Sequence, residues 1–368
     1  MFTFPVTHFG GGDVFEFIGD IMAFGPNGYT AYSDDAQTWT VNDPPEGEYS
    51  GSFVSDEVLG ARGTRFLCND GAGTMYCMRE AADGTTGEYD LLSSTDGGAT
   101  WSTVNANFAD SPGSLIYAGN KLFAYTQGQL RYSTNGGTSF STATNNGRSF
   151  AIVSDIVKTD TDYIAVGFEF DTGFDAWIWV SSDGITWANP TTFTADGDGS
   201  QLHSVAYDST GGVAVACGSD GQVYSSSDDG DTWTSRTLGS SSTQDAVSVA
   251  WSGSEFAIVT GMGTGVNAAE VHRSTDGATW TRTYTESFAD FGDIAWCATD
   301  SQFIIVGPQE TSPYIYIKTS PDCTASSFTN RTAASGESAA PNFINVTYDN
   351  STDEYCIAAS GVSGGGGD

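Results

Sequence analysis

Carboxylates dominate the chemistry available to this chain. Its 368 residues carry 46 Asp plus Glu against 12 Lys plus Arg and three His, a formal net charge of −34. Two carboxylates at a suitable separation suffice for acid–base cleavage of a glycosidic bond. Acidic loops with enough oxygen donors hold Ca²⁺. The segment DGDG offers Asp196 and Asp198 as weak candidate cation ligands, but the remaining donors of a calcium loop do not follow, so a solvated turn is the plainer reading and no resident cofactor is expected. His8, His203 and His272 lie in no legible Ser-His-Asp arrangement. The cysteines Cys68, Cys77, Cys217, Cys297, Cys323 and Cys356 form no CxxC pair, which argues against zinc. Cys68 and Cys77 flank the turn-like NDGAG and are candidates to bridge a hairpin, whereas runs such as VAVACG read as core.

The segment Gly167 to Trp177, GFEFDTGFDAW, combines aromatic rings with acids: Phe168, Glu169, Phe170, Asp171, Phe174 and Asp175. Aromatic anchors beside polar groups suit stacking on a sugar face or docking a protein side chain. The alternative is that the phenylalanines fold inward and cap a sheet. The charge balance excludes phosphate backbones and anionic membranes, which need basic surface. It reads most simply as solubility or a saline habitat.

Such groups must be carried by strands. Glycine is abundant (46) and proline sparse (10), and short β-rich runs alternate with turn clusters, without long helical periodicity. One turn recurs: SDDAQTW to Trp39, STDGGATW to Trp101, STNGGTSF to Phe140, SSDGITW to Trp187, SSDDGDTW to Trp233, STDGATW to Trp280, and a degraded TSPDCTASSF to Phe328. The intervals between successive ends are 62, 39, 47, 46, 47 and 48 residues. A period near 47 is that of a four-stranded propeller blade, and the long first interval leaves room for an insertion of about 15 residues. In each turn the acid (Asp35, Asp96, Asp183, Asp228, Asp276, with Asn135 in the third copy) accepts backbone N–H groups. The glycine supplies a left-handed backbone. The rings of Trp39, Trp101, Trp187, Trp233 and Trp280 are expected to be buried between blades.

The unit HSVAYDSTGGVAVACGSDGQVYSSSDDGDTWTSRT divides into strands at His203–Tyr207, Val213–Cys217, Gln222–Ser226 and from about Thr232. The expected architecture is an all-β, seven-bladed propeller with four antiparallel strands per blade. NFINVTY and EYCIAAS at the end would join YTAYSDDAQTWT near the start in one composite closing blade, hiding strand edges. DIMAFG resembles a further B strand, which leaves eight blades as the alternative. Residues 1–368 are read as one domain, with 1–20 as a possible arm and 361–368 as a Gly-rich tail. The N-terminus has neither the basic residue nor the apolar stretch of a signal peptide, and no segment has the length and apolarity to span a membrane.

These motifs resemble the Asp-box (BNR) repeats of the sialidase-like superfamily of propellers, from Ser33 to Phe328. The resemblance implies that the boxes are structural and lie away from any active site. A sialidase would also have three central arginines and an Arg-Ile-Pro-like segment. FTFPVTH has no arginine, Arg131 and Arg273 precede boxes, and Arg236, Arg282 and Arg331 follow them. The expected function is therefore non-catalytic binding on a particle or cell surface, most plausibly in a phage virion, with virion or surface proteins or glycans as partners, and with oligomeric assembly open. A virion or extracellular location follows from that expectation. An extracellular glycoside hydrolase is the alternative.

Overall fold

The computed structural model describes three short strands within residues 23–42 as backbone, and then residues 67–359 apart from 81–87, 97–99, 111, 127, 146–151, 170–174, 195–199, 239–243, 262–267, 288–289, 309–314, 332–343 and 350–353. The arm, the tail, Asp35, Trp39, Phe170, Asp171, Phe174, Asp196 and Asp198 lie outside the described residues.

The repeat becomes a series of antiparallel sheets, each built strand by strand in sequence order. Sheet 1 comprises Leu67–Asn69, Met75–Glu80, Glu88–Ser94 and Ser102–Asp110. Sheet 2 comprises Pro112–Ala118, Lys121–Thr126, Gln129–Ser133 and Ser141–Thr142. Sheet 3 has Ile152–Lys158, Tyr163–Glu169 and Asp175–Ser181. Sheet 4 has Leu202–Asp208, Val213–Gly218, Gln222–Ser226 and Thr234–Thr237. Sheet 5 has Ala246–Trp251, Phe256–Thr260, Ala268–Ser274 and Thr281–Ser287. Sheet 6 has Asp293–Cys297, Gln302–Pro308, Ile315–Ser320 and Thr329–Arg331. Below, the four successive strands of a sheet are its A, B, C and D strands. A hairpin of Ile344–Asp349 and Glu354–Ala359 follows, its second strand beside the N-terminal strands Ala23–Phe24 and Thr30–Tyr32.

The A strands neighbour one another in chain order, Ile344–Asp349 follows that of sheet 6, and it also neighbours Leu67–Asn69. There Asn69 Nδ2 donates to Thr347 Oγ1 at 2.6 Å across 278 residues. An A strand has a ladder partner on one side only, so its other edge must be satisfied differently. A polar residue repeated in one register does this. Asp155 Oδ2 accepts from Ser204 Oγ (3.0 Å) and from Val205 N (3.1 Å). Ser204 Oγ in turn accepts from Val249 N at 3.3 Å. Asp293 accepts from Ser248 Oγ at 2.6 Å and from Val346 N at 3.0 Å. Ser114 Oγ donates to Val153 O at 2.6 Å. A bulge places this residue in sheets 2 to 5, where the A–B register shifts just before Ser114, Asp155, Ser204 and Ser248. The bulged backbone presses on the end of strand B. A Cβ at Gly167, Gly218 or Gly307 would lie 1.8, 1.9 or 2.0 Å from a carbonyl oxygen of the chain entering strand A, so only glycine fits.

Between sheets lie apolar layers. Trp187 is fully buried edge-on to Phe123 of sheet 2 and Tyr163 of sheet 3. Trp233 and Trp280 are buried between sheets 3 and 4 and between sheets 4 and 5. Trp101 departs from the expectation and is only half-buried. The cysteine bridge is also corrected. Cys68 pairs in register with Tyr76 and Cys77 with Leu67, so adjacent-register side chains point to opposite sheet faces, and both residues remain buried thiols.

Two expectations follow for equilibrium denaturation. Trp187→Ala should cost about 3–5 kcal/mol, with Trp101→Ala costing clearly less. Asp155→Ala should cost about 2–4 kcal/mol, because it strands the buried N–H groups of Ile156 and Val205. A loss below about 1 kcal/mol for Asp155→Ala would mean that the inter-sheet bonds do not hold the sheets together.

Candidate functional site

The most numerous acids are consumed by their own turns. Ser274 Oγ donates to Asp276 Oδ1 (2.9 Å), which also accepts from Ala278 N (2.9 Å) and Thr279 N (2.7 Å). The Thr279 and Ala278 N–H groups bring this carboxyl down to about 2. Asp183 is lowered chiefly by Thr186 N–H, against burial, which works upward, with further lowering from Ile185 N–H and the Ser181 hydroxyl. In Asp96 and Asp228 burial works upward but is outweighed by threonine hydroxyl and N–H bonds from Thr100 and Thr232. Asn135 reproduces the turn without charge, accepting from Ser139 N at 3.1 Å. The degraded copy keeps the geometry too: Ser320 Oγ accepts from Cys323 N at 2.7 Å, and Cys323 stands at φ 50° where other boxes place glycine.

Several described arginines are engaged as well. Arg273 pairs with Glu255, Arg282 Nη1 with Glu270 at 2.5 Å, and Arg236 Nε donates to Ser225 Oγ at 2.9 Å. They sit on C and D strands, as do Arg131 and Arg331. His272 is buried against Glu270 at 3.0 Å, and burial holds its imidazole below the ordinary range despite that carboxylate. His203 is buried with Nδ1 3.3 Å from Ala246 O.

The acid-aromatic segment divides between two faces of sheet 3. Phe168, expected on an exposed patch, lies within the B strand opposite Ala176, its ring 1% exposed, because strand alternation turns it inward. Glu169 and Asp175 lie directly opposite each other and are both half-buried. Trp177, two residues on, shares their face; it is half-buried and stacks on Trp179 at 6.2 Å and 19°. Its layer between sheets 2 and 3 includes Tyr125, whose hydroxyl burial pushes up to about 12, against a hydrogen bond with the Gly128 backbone. The candidate site is thus Glu169, Asp175 and Trp177 at the B–C end of sheets 2 and 3. Sequence reading did not assign Trp177 to the patch, although its i+2 spacing from Asp175 was the available signal. Among the described residues no group of three or more His, Cys, Asp or Glu is placed to hold a metal.

No family model matches the chain, and no curated protein matches it. Solved structures do. A structure of "YCF48 bound to D1 peptide" aligns with a TM-score of 0.54 at 16% identity, over 82% of this chain and 91% of that one. "Crystal Structure of Mitotic Checkpoint Complex" contains a chain aligning at 0.52 and 13% identity, over 83% of this chain and 91% of that one. "YCF48 from Cyanidioschyzon merolae" aligns at 0.50 and 14% identity, over 80% and 92%. The chain therefore shares the β-propeller fold of these structures.

The box chemistry generates a pH expectation. A carboxyl lowered to about 2 in the fold contributes stability that is present above its unfolded value of about 3.9 and is lost as pH falls toward the folded value. Asp276→Asn keeps the acceptor and removes the charge, as Asn135 does naturally. Its melting temperature should lie below wild type near neutrality, and the gap should close as the pH is lowered from about 4 to about 2. A gap that persists unchanged at the acid end would show that charge is not what the turn uses.

Proposed function

We propose that this protein is a non-catalytic binding propeller of seven blades, closed by a composite blade from its two ends, which holds a partner at the B–C end of sheets 2 and 3. Seven mutually adjacent A strands and the Asn69–Thr347 bond support the closure. The observation that carries the binding reading is the half-buried Trp177 sharing a face with the opposed Glu169 and Asp175. A flat apolar ring with acceptors at its edge offers stacking and hydrogen bonding to a sugar, or a seat for a protein side chain. Phe170, Asp171 and Phe174, outside the described residues, belong to the same proposal. Composition adds a particle or cell surface as the setting, with a virion protein or host glycan as partner.

The cross-strand acids favour a second reading. Directly opposed residues on one sheet face have Cβ atoms about 4.5–5.5 Å apart, compatible with the carboxyl separation of about 5–5.5 Å in retaining glycosidases. One experiment separates the two. The protein is tested on a glycan array and, by cross-linking, on purified particles from its source. Binding should fall at least about ten-fold in Trp177→Ala, the loss of one well-buried aromatic contact, with the fold retained at the assay temperature by circular dichroism. If wild type instead releases reducing sugar from the glycans and Glu169→Gln abolishes the release, the hydrolase reading replaces this one.

A further inference from the structure

The opposite side of the sheets, where the A–B turns and the Asp boxes lie, has its own aromatic register. Three residues after the polar inner-strand position, at the end of the A strand, stand Tyr117, Tyr207, Trp251 and Trp296 in sheets 2, 4, 5 and 6. All four are half-buried. Each indole is held on one side by its own B strand, Trp251 by Phe256 at 4.5 Å and Trp296 by Phe303 at 4.7 Å. Tyr207 is held by its hydroxyl, 3.4 Å from Asp229 Oδ1. Each ring packs with one side on the apolar layer beside its sheet and remains partly exposed at the strand end, and the placement recurs from sheet to sheet.

Carboxylates outnumber cations around them. Asp160, Asp228, Asp231, Asp276 and Asp300 are exposed at this end of the sheets. The cations there are already engaged. Lys158 Nζ donates to Thr159 O at 2.7 Å and lies 5.1 Å from the Tyr163 ring. Lys121 Nζ donates to Asn120 Oδ1 at 3.1 Å, and Arg273 pairs with Glu255. Rigid aromatic faces set among carboxylates are complementary to guanidinium groups, which stack on rings and pair with carboxylates in the same contact.

We propose that the Asp-box side is a second docking surface, for an arginine-rich segment of a partner polypeptide, with Tyr207, Trp251 and Trp296 as its contact rings. This goes beyond the reading of the opposite face and is independent of it. Such a molecule bridges two partners.

The test uses the full chain and a labelled dodecapeptide alternating arginine and glycine, with lysine–glycine and glutamate–glycine peptides for comparison. Fluorescence anisotropy is read at about 150 mM salt, where long-range attraction is screened beyond about 8 Å. Wild type should bind the arginine peptide saturably and more tightly than the lysine peptide. The double variant Trp251→Leu, Trp296→Leu, which keeps the net charge, should weaken that binding about ten-fold, whereas Trp177→Ala should leave it unchanged. Equal binding by the double variant means that bulk charge alone attracts the peptide, and the proposal fails. It fails equally if wild type does not saturate, or if neutral oligosaccharides rather than the arginine peptide perturb these rings. Should the double variant not fold, the indole N–H resonances of wild type decide. Shifts at Trp251 and Trp296 on titration support the surface, and shifts at Trp177 alone, or none, overturn it.

Discussion

An inner strand of a radial sheet array has one unpaired edge, and buried polar groups on that edge must find acceptors or donors elsewhere. In this protein the solution is a side chain from the neighbouring inner strand. Asp155 and Asp293, 5% and 2% exposed, each collect N–H and hydroxyl donors from adjacent sheets. Burying a carboxylate is costly unless its oxygens are fully hydrogen-bonded, and these oxygens are. The cost and its compensation make the arrangement specific: an inner strand shifted by one residue would turn an apolar side chain toward the stranded N–H groups.

The outer edge is handled by different means with the same effect. At four places the chain on or just after the outer strand reaches over the next sheet's Asp-box turn. Asn105 Nδ2 donates to Gly137 O at 3.3 Å, Thr144 N to Ile185 O at 2.9 Å, Thr192 N to Asp231 O at 3.1 Å and Thr283 Oγ1 to Cys323 O at 2.6 Å. The box is thus more than a turn. Its side-chain acid organises the loop, its outward carbonyl receives the preceding sheet, and its aromatic ring fills the layer between the two. This explains why the boxes tolerate Asn135 for aspartate and Cys323 for glycine: the hydrogen-bond pattern survives either exchange.

Sheets tied at both edges leave their two ends available for recognition, and the ends differ chemically. The B–C end of sheets 2 and 3 presents an indole with two opposed acids, whereas the Asp-box end presents recurrent rings in an acidic field held ionised by the turns. The net charge of −34 therefore has a structured component: part of it consists of box carboxylates whose protonation is displaced well into acid.

The sequence by itself determined the repeat, and with it the all-β class, the strand order and the place of the boxes from Asp96 onward, because a turn that needs Ser, Asp and Gly at fixed offsets leaves its signature in any reading frame of about 47 residues. The strands predicted at His203–Tyr207, Val213–Cys217 and Gln222–Ser226 are found within a residue of those limits. Tertiary structure alone decided which side of a sheet each residue serves. Phe168 and Glu169 are neighbours in the chain, yet the ring is buried and the acid faces the candidate site. Cys68 and Cys77 flank one turn, yet their register separates them. The inner-strand hydrogen bonds were equally hidden, since Ser114, Asp155, Ser204 and Ser248 read as unrelated polar residues until bulges bring them into one register. A period of two makes facing depend on single-residue shifts, and those shifts are settled by packing between sheets, not by any local preference of the chain.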